Sequence, residues 1–212
     1  MTVKTECGVA AWGVAAVGYV LLEAISAAGF EPDYSYLHNY ISDLGVAGPR
    51  AYLMHAAFYL QGILFLLGAL LIVPVARNRS ARLFLGLVSA NAVGNLVVGT
   101  VHSGKAHVVG AALAIVGGNL AILVGSAVLG AVVGRRWYRG VSVLVGALGI
   151  LCLGVLTVNS LANSAHAAAA GAWERGSVYS ITIWQLLTAA ALLIGAGPAH
   201  GPGARSAPIA GR

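Results

Sequence analysis

Charge is what this sequence has least of. Asp, Glu, Lys and Arg together make up 8% of its 212 residues, against about a quarter in an ordinary soluble domain. With 59% of the residues apolar, there is too little polar surface to cover a core, which excludes a soluble globular protein. Cysteine is nearly absent. Cys7 stands at the start of the first apolar run and Cys152 deep inside the fifth. Thiols at such different depths do not meet, so no disulfide is expected. Neither has a partner at metal-ligand spacing. Period-2 alternation is missing, which excludes a membrane β-barrel. No G-x-S-x-G elbow and no H-E-x-x-H pair occurs. Ser42 and Asp43 are adjacent, a placement that does not make a base-oriented triad. The formal charge of +6 is not a nucleic-acid footprint, because the basic residues are not gathered into one stripe interleaved with aromatics.

What is there is a set of long apolar runs. Six reach the roughly 20 residues a bilayer requires: about 8–29, 52–76, 83–101, 108–134, 141–161 and 178–197. Each must be helical to satisfy its own backbone in lipid. The expected fold is all-α, a polytopic six-helix membrane bundle over residues 1–196, followed by a disordered cytoplasmic tail at 197–212 rich in Gly, Pro and Ala. Orientation follows the basic residues. Lys4, Arg77, Arg79, Arg82, Arg135, Arg136, Arg139, Arg205 and Arg212 fall on one side; Arg50, Lys105 and Arg175 fall on the other. Both termini are therefore expected inside, in a multi-pass protein of the cell membrane. The Ala, Gly and Val content points to a GC-rich bacterial genome and hence a bacterial cytoplasmic membrane. The first run has an alternative reading as a cleaved signal peptide, against which stand its length and the late interruption by Glu23.

The polar residues are distributed unevenly across this topology. His38, His55, His102, His107 and His166 fall on or near the outer face, and only His200 is inside. Glu23, Glu31, Asp33, Asp43 and Glu174 are also outward. The decapeptide "YLHNYISDLG" (36–45) occupies the longest outer loop. Asn91, Asn95 and His102 share one helical stripe, as do Asn159, Asn163 and His166. Asn119 lies near mid-membrane, and the second span adds His55 and Gln61. Asparagine in lipid faces protein or water, so a polar interior opening outward is expected. Small residues at 110, 114, 117, 118, 121, 125 and 130 allow close helix approach, within the chain or in an oligomer.

Three functions fit this pattern. The first is lipid or envelope binding without catalysis. Membrane lipids are then the partners, Asn91, Asn95, Asn119, Asn159, Asn163, Glu174 and Arg175 form the ligand-binding set, and Arg50, Lys105 and Arg175 stand ready for phosphate. The second is a metal-dependent hydrolase or transferase acting on an outer-leaflet lipid. His38, His102, His107 and His166 would ligate zinc, and His38, Asp43, His102 and His166 would act as acid–base groups or ligands. Against it, the two histidines of "HSGKAH" flank the cation Lys105. The third is a small transporter lined by Asn91, Asn95, Asn119 and Asn159.

Several segments carry a resemblance. "HNYISDLG" after the first span resembles the His-x-x-x-Ser-x-Leu-Gly type of segment in the domain-of-unknown-function family 998. "VHSGKAHVVGAALAIVGGNLA" is similar to its middle segment, and "GAWERGSVYSITIW" to its Gly-x-x-Glu-Arg segment leading to a Trp in the last span. Together they cover about 30–190. The resemblance implies a six-span membrane protein and no settled activity. That family is distantly similar to the Frag/DRAM/Sfk group of six-span proteins with lipid and membrane-trafficking roles, an analogy that favours lipid handling. The membrane amidases related to alkaline ceramidase have seven spans and paired histidines in the last; the last span here has none.

Overall fold

The computed structural model describes residues 1–31, 33–74, 78–162 and 169–195. The chain forms α1 (Val3–Ala27), a short 3-10 turn (Ile41–Gly45), α2 (Ala51–Ile72), α3 (Arg79–Thr100), α4 (Gly104–Val128), α5 (Gly130–Val133), α6 (Arg136–Leu161) and α7 (Ala170–Gly195). There is no strand among the described residues. Six of these helices, all but α5, are long and apolar enough to cross a membrane. The expected all-helical, six-span architecture is therefore what the chain adopts. The tail beyond 197 lies outside the described residues.

Local chemistry sets several ends. The Thr2 hydroxyl accepts from the Thr5 amide at the start of α1, and the Asn78 side-chain Oδ1 accepts from the Ala81 amide at the start of α3. Each satisfies one of the orphan donors of a first turn. Gly134 stops α5 in the left-handed region, at φ 66°, where glycine has no Cβ penalty. The main departure from the expected boundaries is α7, which begins at Ala170 rather than near 178. Hydropathy truncates a span at charges, but Glu174 and Arg175 are helical and buried here.

The helices close into a ring: α1 packs on α2, α2 on α3, α3 on α4, α4 on α6, α6 on α7, and α7 back on α1. Outward faces carry Leu21, Ile63, Leu83, Leu144, Leu151 and Leu193, all exposed. Lipid is as apolar as leucine, so these faces need no protein cover. The interior has two apolar clusters. One surrounds Trp184, with Trp12, Phe65 and Phe84 against its ring. Its indole N–H donates to Ser142 Oγ at 3.0 Å, and that of Trp12 to the Phe65 carbonyl at 2.9 Å. The other lies under the 28–50 loop and holds Tyr19, Ile41, Leu44, Met54, Phe58 and Val98.

Without hydrophobic drive between helices, close backbone approach supplies the packing energy. A Cβ at Gly94 would collide with the backbone of Ala114 and Gly110, one at Gly117 with the Asn91 amide, and one at Gly118 with Ile181. Gly125 gives room to Trp184 and Phe84. Gly94 of α3 and the small residues of α4 therefore serve contacts inside the chain. Replacing Gly94 with leucine should force α3 and α4 apart and break the bond from Asn91 to the Ala114 carbonyl. A loss of about 1–3 kcal/mol is expected for such overpacking, read as a lower melting temperature in detergent; an unchanged melting curve would contradict the packing described.

Candidate functional site

The 28–50 loop is short of regular structure, so its peptide groups need other partners. Arg175 supplies them. Its Nη1 donates to the carbonyls of Tyr36, Asn39 and Gly171 at 2.9, 3.0 and 3.1 Å. Nε and Nη2 both reach Glu23 Oε1 at 3.0 Å, and Nη2 also donates to the Tyr34 hydroxyl. The Tyr34 hydroxyl in turn donates to the Tyr40 carbonyl at 2.7 Å. Burial pushes the Tyr34 phenol well above its ordinary range, outweighing the opposite pull of Arg175, so it remains a neutral donor. Tyr179 donates to Glu23 Oε2 at 2.9 Å. The guanidinium also lies 4.7 Å from the ring centroid of Tyr36, within cation–π reach. All five of its N–H groups are engaged, and both ions of the pair are buried.

Glu174 follows a different direction, because adjacent helical residues point about 100° apart. Its Oε2 accepts from the Ile41 amide. Asp43 Oδ2 accepts from the Tyr40 amide at 2.8 Å and so shapes the 3-10 turn. The turn is thereby hitched to α7, with Ile41 and Leu44 buried beneath it.

Under this roof is a cleft. It is lined by Tyr19 of α1, Ile41 and Ser42 of the turn, Phe58 and Gln61 of α2, Asn91, Asn95 and Val98 of α3, Ala111, Ala114 and Ile115 of α4, and Glu174, Val178 and Ile181 of α7. It lies where the two apolar clusters fail to meet: Ile181 belongs to one, and Tyr19, Phe58 and Val98 to the other. The space between atoms is about 490 Å³ including its open mouth, but only about 40 Å³ is wide enough for water. It is a narrow slot. Asn91 donates to the Ala114 carbonyl at 2.6 Å, and Asn95 donates to the Asn91 carbonyl at 3.0 Å. Gln61 Nε2 donates to Gln185 Oε1 at 2.9 Å, which leaves Gln61 Oε1 and Gln185 Nε2 buried and unpaired.

The structure gathers the sequence-predicted residues only in part. Asn91, Asn95 and Glu174 meet in the cleft. Asn119 lies below it, donating to the Ile115 and Ser177 carbonyls at 3.0 and 2.8 Å and accepting from Ser180 at 2.7 Å. Arg175 is beside the cleft, turned toward the loop. Asn159 is half-buried on α6, among Leu151, Gly154 and Val158, away from the cleft. His38 is exposed. His55 Nε2 contacts the Gly45 carbonyl at 2.6 Å, and its ring stacks on exposed His102 at 4.3 Å. His107 Nδ1 contacts the Val101 carbonyl at 2.6 Å. Asn163 and His166 lie outside the described residues. Among the described residues no three His, Cys, Asp or Glu side chains are placed to share a metal ion. Tyr19, Ser42 and Gln185 were not expected at this site. The one sequence signal for the ion pair was Glu23, an acid inside an apolar run, which demands a partner.

The family model described as "Protein of unknown function (DUF998)" matches residues 9–191. The chain belongs to this family. No curated protein and no solved structure matches it. In this DUF998 chain, the segments 38–45 and 171–176 make one joint. Arg175 holds the Asn39 carbonyl, Glu174 holds the Ile41 amide, and a Cβ at Gly171 would collide with the carbonyls of Asn39 and Tyr36. The Ala172 amide completes it by donating to the Leu37 carbonyl at 3.1 Å.

Removing one partner of a buried pair strands the other. Arg175→Met should therefore cost about 3–5 kcal/mol, and Arg175→Lys should also destabilise, because an ammonium lacks the planar fork. The Glu23→Gln, Arg175→Gln double variant should lose less than the two single losses together. Thermal denaturation in detergent reads this cycle, and simple additivity would deny the coupling.

Proposed function

We propose that this DUF998 protein binds a membrane amphiphile in the cleft under its 28–50 loop, and that this loop faces outward from the cell membrane with both termini inside. The observation that carries the reading is the composition of the slot. Its walls are apolar, at Phe58, Val98, Ala114, Ile115 and Ile181. Polar groups stand at its two ends, with Ser42 and Glu174 near the roof and Gln61, Asn91 and Asn95 at the floor. Small-molecule sites combine such walls with a few convergent polar groups. The lining contains one carboxyl, Glu174, and no cation; Arg175 is committed to Glu23 and to the loop carbonyls. With one carboxyl already bonded and no free cation, the slot offers a headgroup little to hold, so the hydrocarbon part of the amphiphile is what it binds.

Orientation rests on the nine basic residues that the sequence assigns to one side of the spans against three on the other. In a background with Cys7→Ser and Cys152→Ala, a Lys105→Cys variant should react with a membrane-impermeant maleimide in intact cells, and an Arg79→Cys variant only after lysis. The reverse pattern would invert the topology.

The binding itself is tested by mild detergent purification and mass spectrometry of extracted lipids. The wild-type protein should retain an amphiphile near one per chain after extended washing. Val98→Phe, which fills the slot from a buried wall position, should reduce that amount at least tenfold with the fold intact by circular dichroism. Equal retention in both proteins would sink the proposal.

A further inference from the structure

The cleft has a roof, a floor and walls, but its closure is uneven. Ile41 is sealed beneath the loop and tied to Glu174. On the floor, Gln61 and Asn91 are buried. Three lining residues are only half-buried: Ser42 at the edge of the turn, Ala111 on α4 and Val178 on α7. Ala111 and Val178 also pack on the apolar cluster beneath the loop, and their exposed edges on adjacent helices point to a mouth on the α4–α7 flank.

The reason is the course of α6. At mid-membrane α4, α6 and α7 are locked together. Asn119 bonds Ser177 and Ser180, and Gly149 of α6 is so close that a Cβ there would collide with Asn119 and Ser180. Toward the loop end Cys152 of α6 still lies close against Gly176 of α7. Beyond it α6 is packed more loosely than at Tyr138, Ser142, Gly146 and Gly149, its buried positions. None of residues 153–161 is buried, and Gly154 faces open space. Among the described residues, the helix that seals the α4–α7 seam below therefore covers it only loosely above. Val108 of α4 is exposed at this end, whereas Val109 and Leu113 face a separate outer groove against Leu87 and Ala90 of α3.

We infer that the cleft is filled from the side, by one unbranched hydrocarbon chain of a bilayer lipid passing between Ala111 and Val178 beneath the outer half of α6. This rests on the amphiphile reading above and names its ligand class and route. The small free volume of the slot, about 40 Å³, favours a single alkyl chain over a bulkier sterol ring or headgroup. Depth is limited by the polar floor. From Glu174 to Ile181 is seven residues, or about 10 Å of helix rise, so the slot takes the last part of a chain. The head stays at the mouth beside Ser42.

The test uses the full chain in phosphatidylcholine vesicles containing a phosphatidylcholine with a diazirine at the methyl end of one acyl chain. After irradiation, adducts are mapped by mass spectrometry. Adducts are expected at cleft residues such as Val98, Ile115 and Ile181, as well as at lipid-facing Leu21 and Leu193. Ala111→Trp and Val178→Trp, at two half-exposed positions on different helices, should each cut the cleft adducts at least fivefold and leave the lipid-facing ones unchanged. A control Leu113→Trp on the exposed face of α4 should change neither. Cleft adducts undiminished by both mouth variants would overturn the lateral route while leaving amphiphile binding intact. Lipid-facing adducts without any cleft adduct in the wild type would overturn both.

Discussion

A guanidinium that is taken out of water must find an acceptor for every N–H, and the loop end of this protein is arranged around that demand. A buried ion pair by itself gains little, because desolvation offsets the Coulomb attraction unless the remaining donors are also satisfied. Arg175 meets the condition with one carboxylate, three carbonyls and a phenol. Each acceptor fixes something else. Glu23 ties α7 to α1, Tyr36 and Asn39 draw the loop down into the mouth of the bundle, and Tyr34 carries the restraint on to Tyr40. Gly171 is required one turn earlier because any side chain there would displace the carbonyls that Arg175 holds. The arrangement is best understood as specifying one loop conformation; replacing it with apolar groups would leave those carbonyls without donors.

The cleft is a consequence of this clamp. Arg175 and Glu174 are neighbours on one helix and point in different directions, so holding the loop with the first brings the second against the Ile41 amide. The roof and one wall of the cleft are thus set by consecutive residues of α7. The opposite wall depends on glycine. Gly94, Gly110 and Gly117 let α3 and α4 approach closely enough for Asn91 to reach the Ala114 carbonyl. A side chain at any of these would widen one seam and move the asparagines out of the cleft. Roof and walls are therefore over-determined, while the α4–α7 seam is held only as far as α6 runs beside it.

The hydropathy of the chain was enough to establish six helices, and helical spacing was enough to place Asn91 and Asn95 on one inward stripe. What it could not convey was direction for residues near helix ends. His102 continues that stripe on paper, but α3 stops at Thr100, and the histidine turns out to stack on His55. Asn159 has the same spacing logic on α6, yet none of residues 153–161 is buried and the residue faces an outer groove lined by α6 itself. The pairing of Glu23 with Arg175 joins residues 152 positions apart, and no local pattern encodes such a contact. Its trace in the sequence was indirect: an acid within an apolar run, and a cation whose span was read as starting too late. Hydropathy reads a charge as an end, whereas a neutralised pair can lie inside a helix.

The polar loop in this apolar chain is explained by the same accounting of backbone groups. A plug that enters the mouth of a helical bundle carries peptide groups that neither lipid nor regular structure can satisfy. Its polar side chains and those beneath it largely serve that need: Asn39 bonds the Ser35 amide, Asp43 the Tyr40 amide, Tyr34 the Tyr40 carbonyl. They are consumed in holding the plug, so few remain to face the cleft. Ser42 and Glu174 are the polar contributions at its upper end, and one oxygen of Glu174 is already taken. A site built this way has little charge with which to choose among headgroups. Its discrimination must come from width and depth, which makes the hydrocarbon part of a ligand the part it can read.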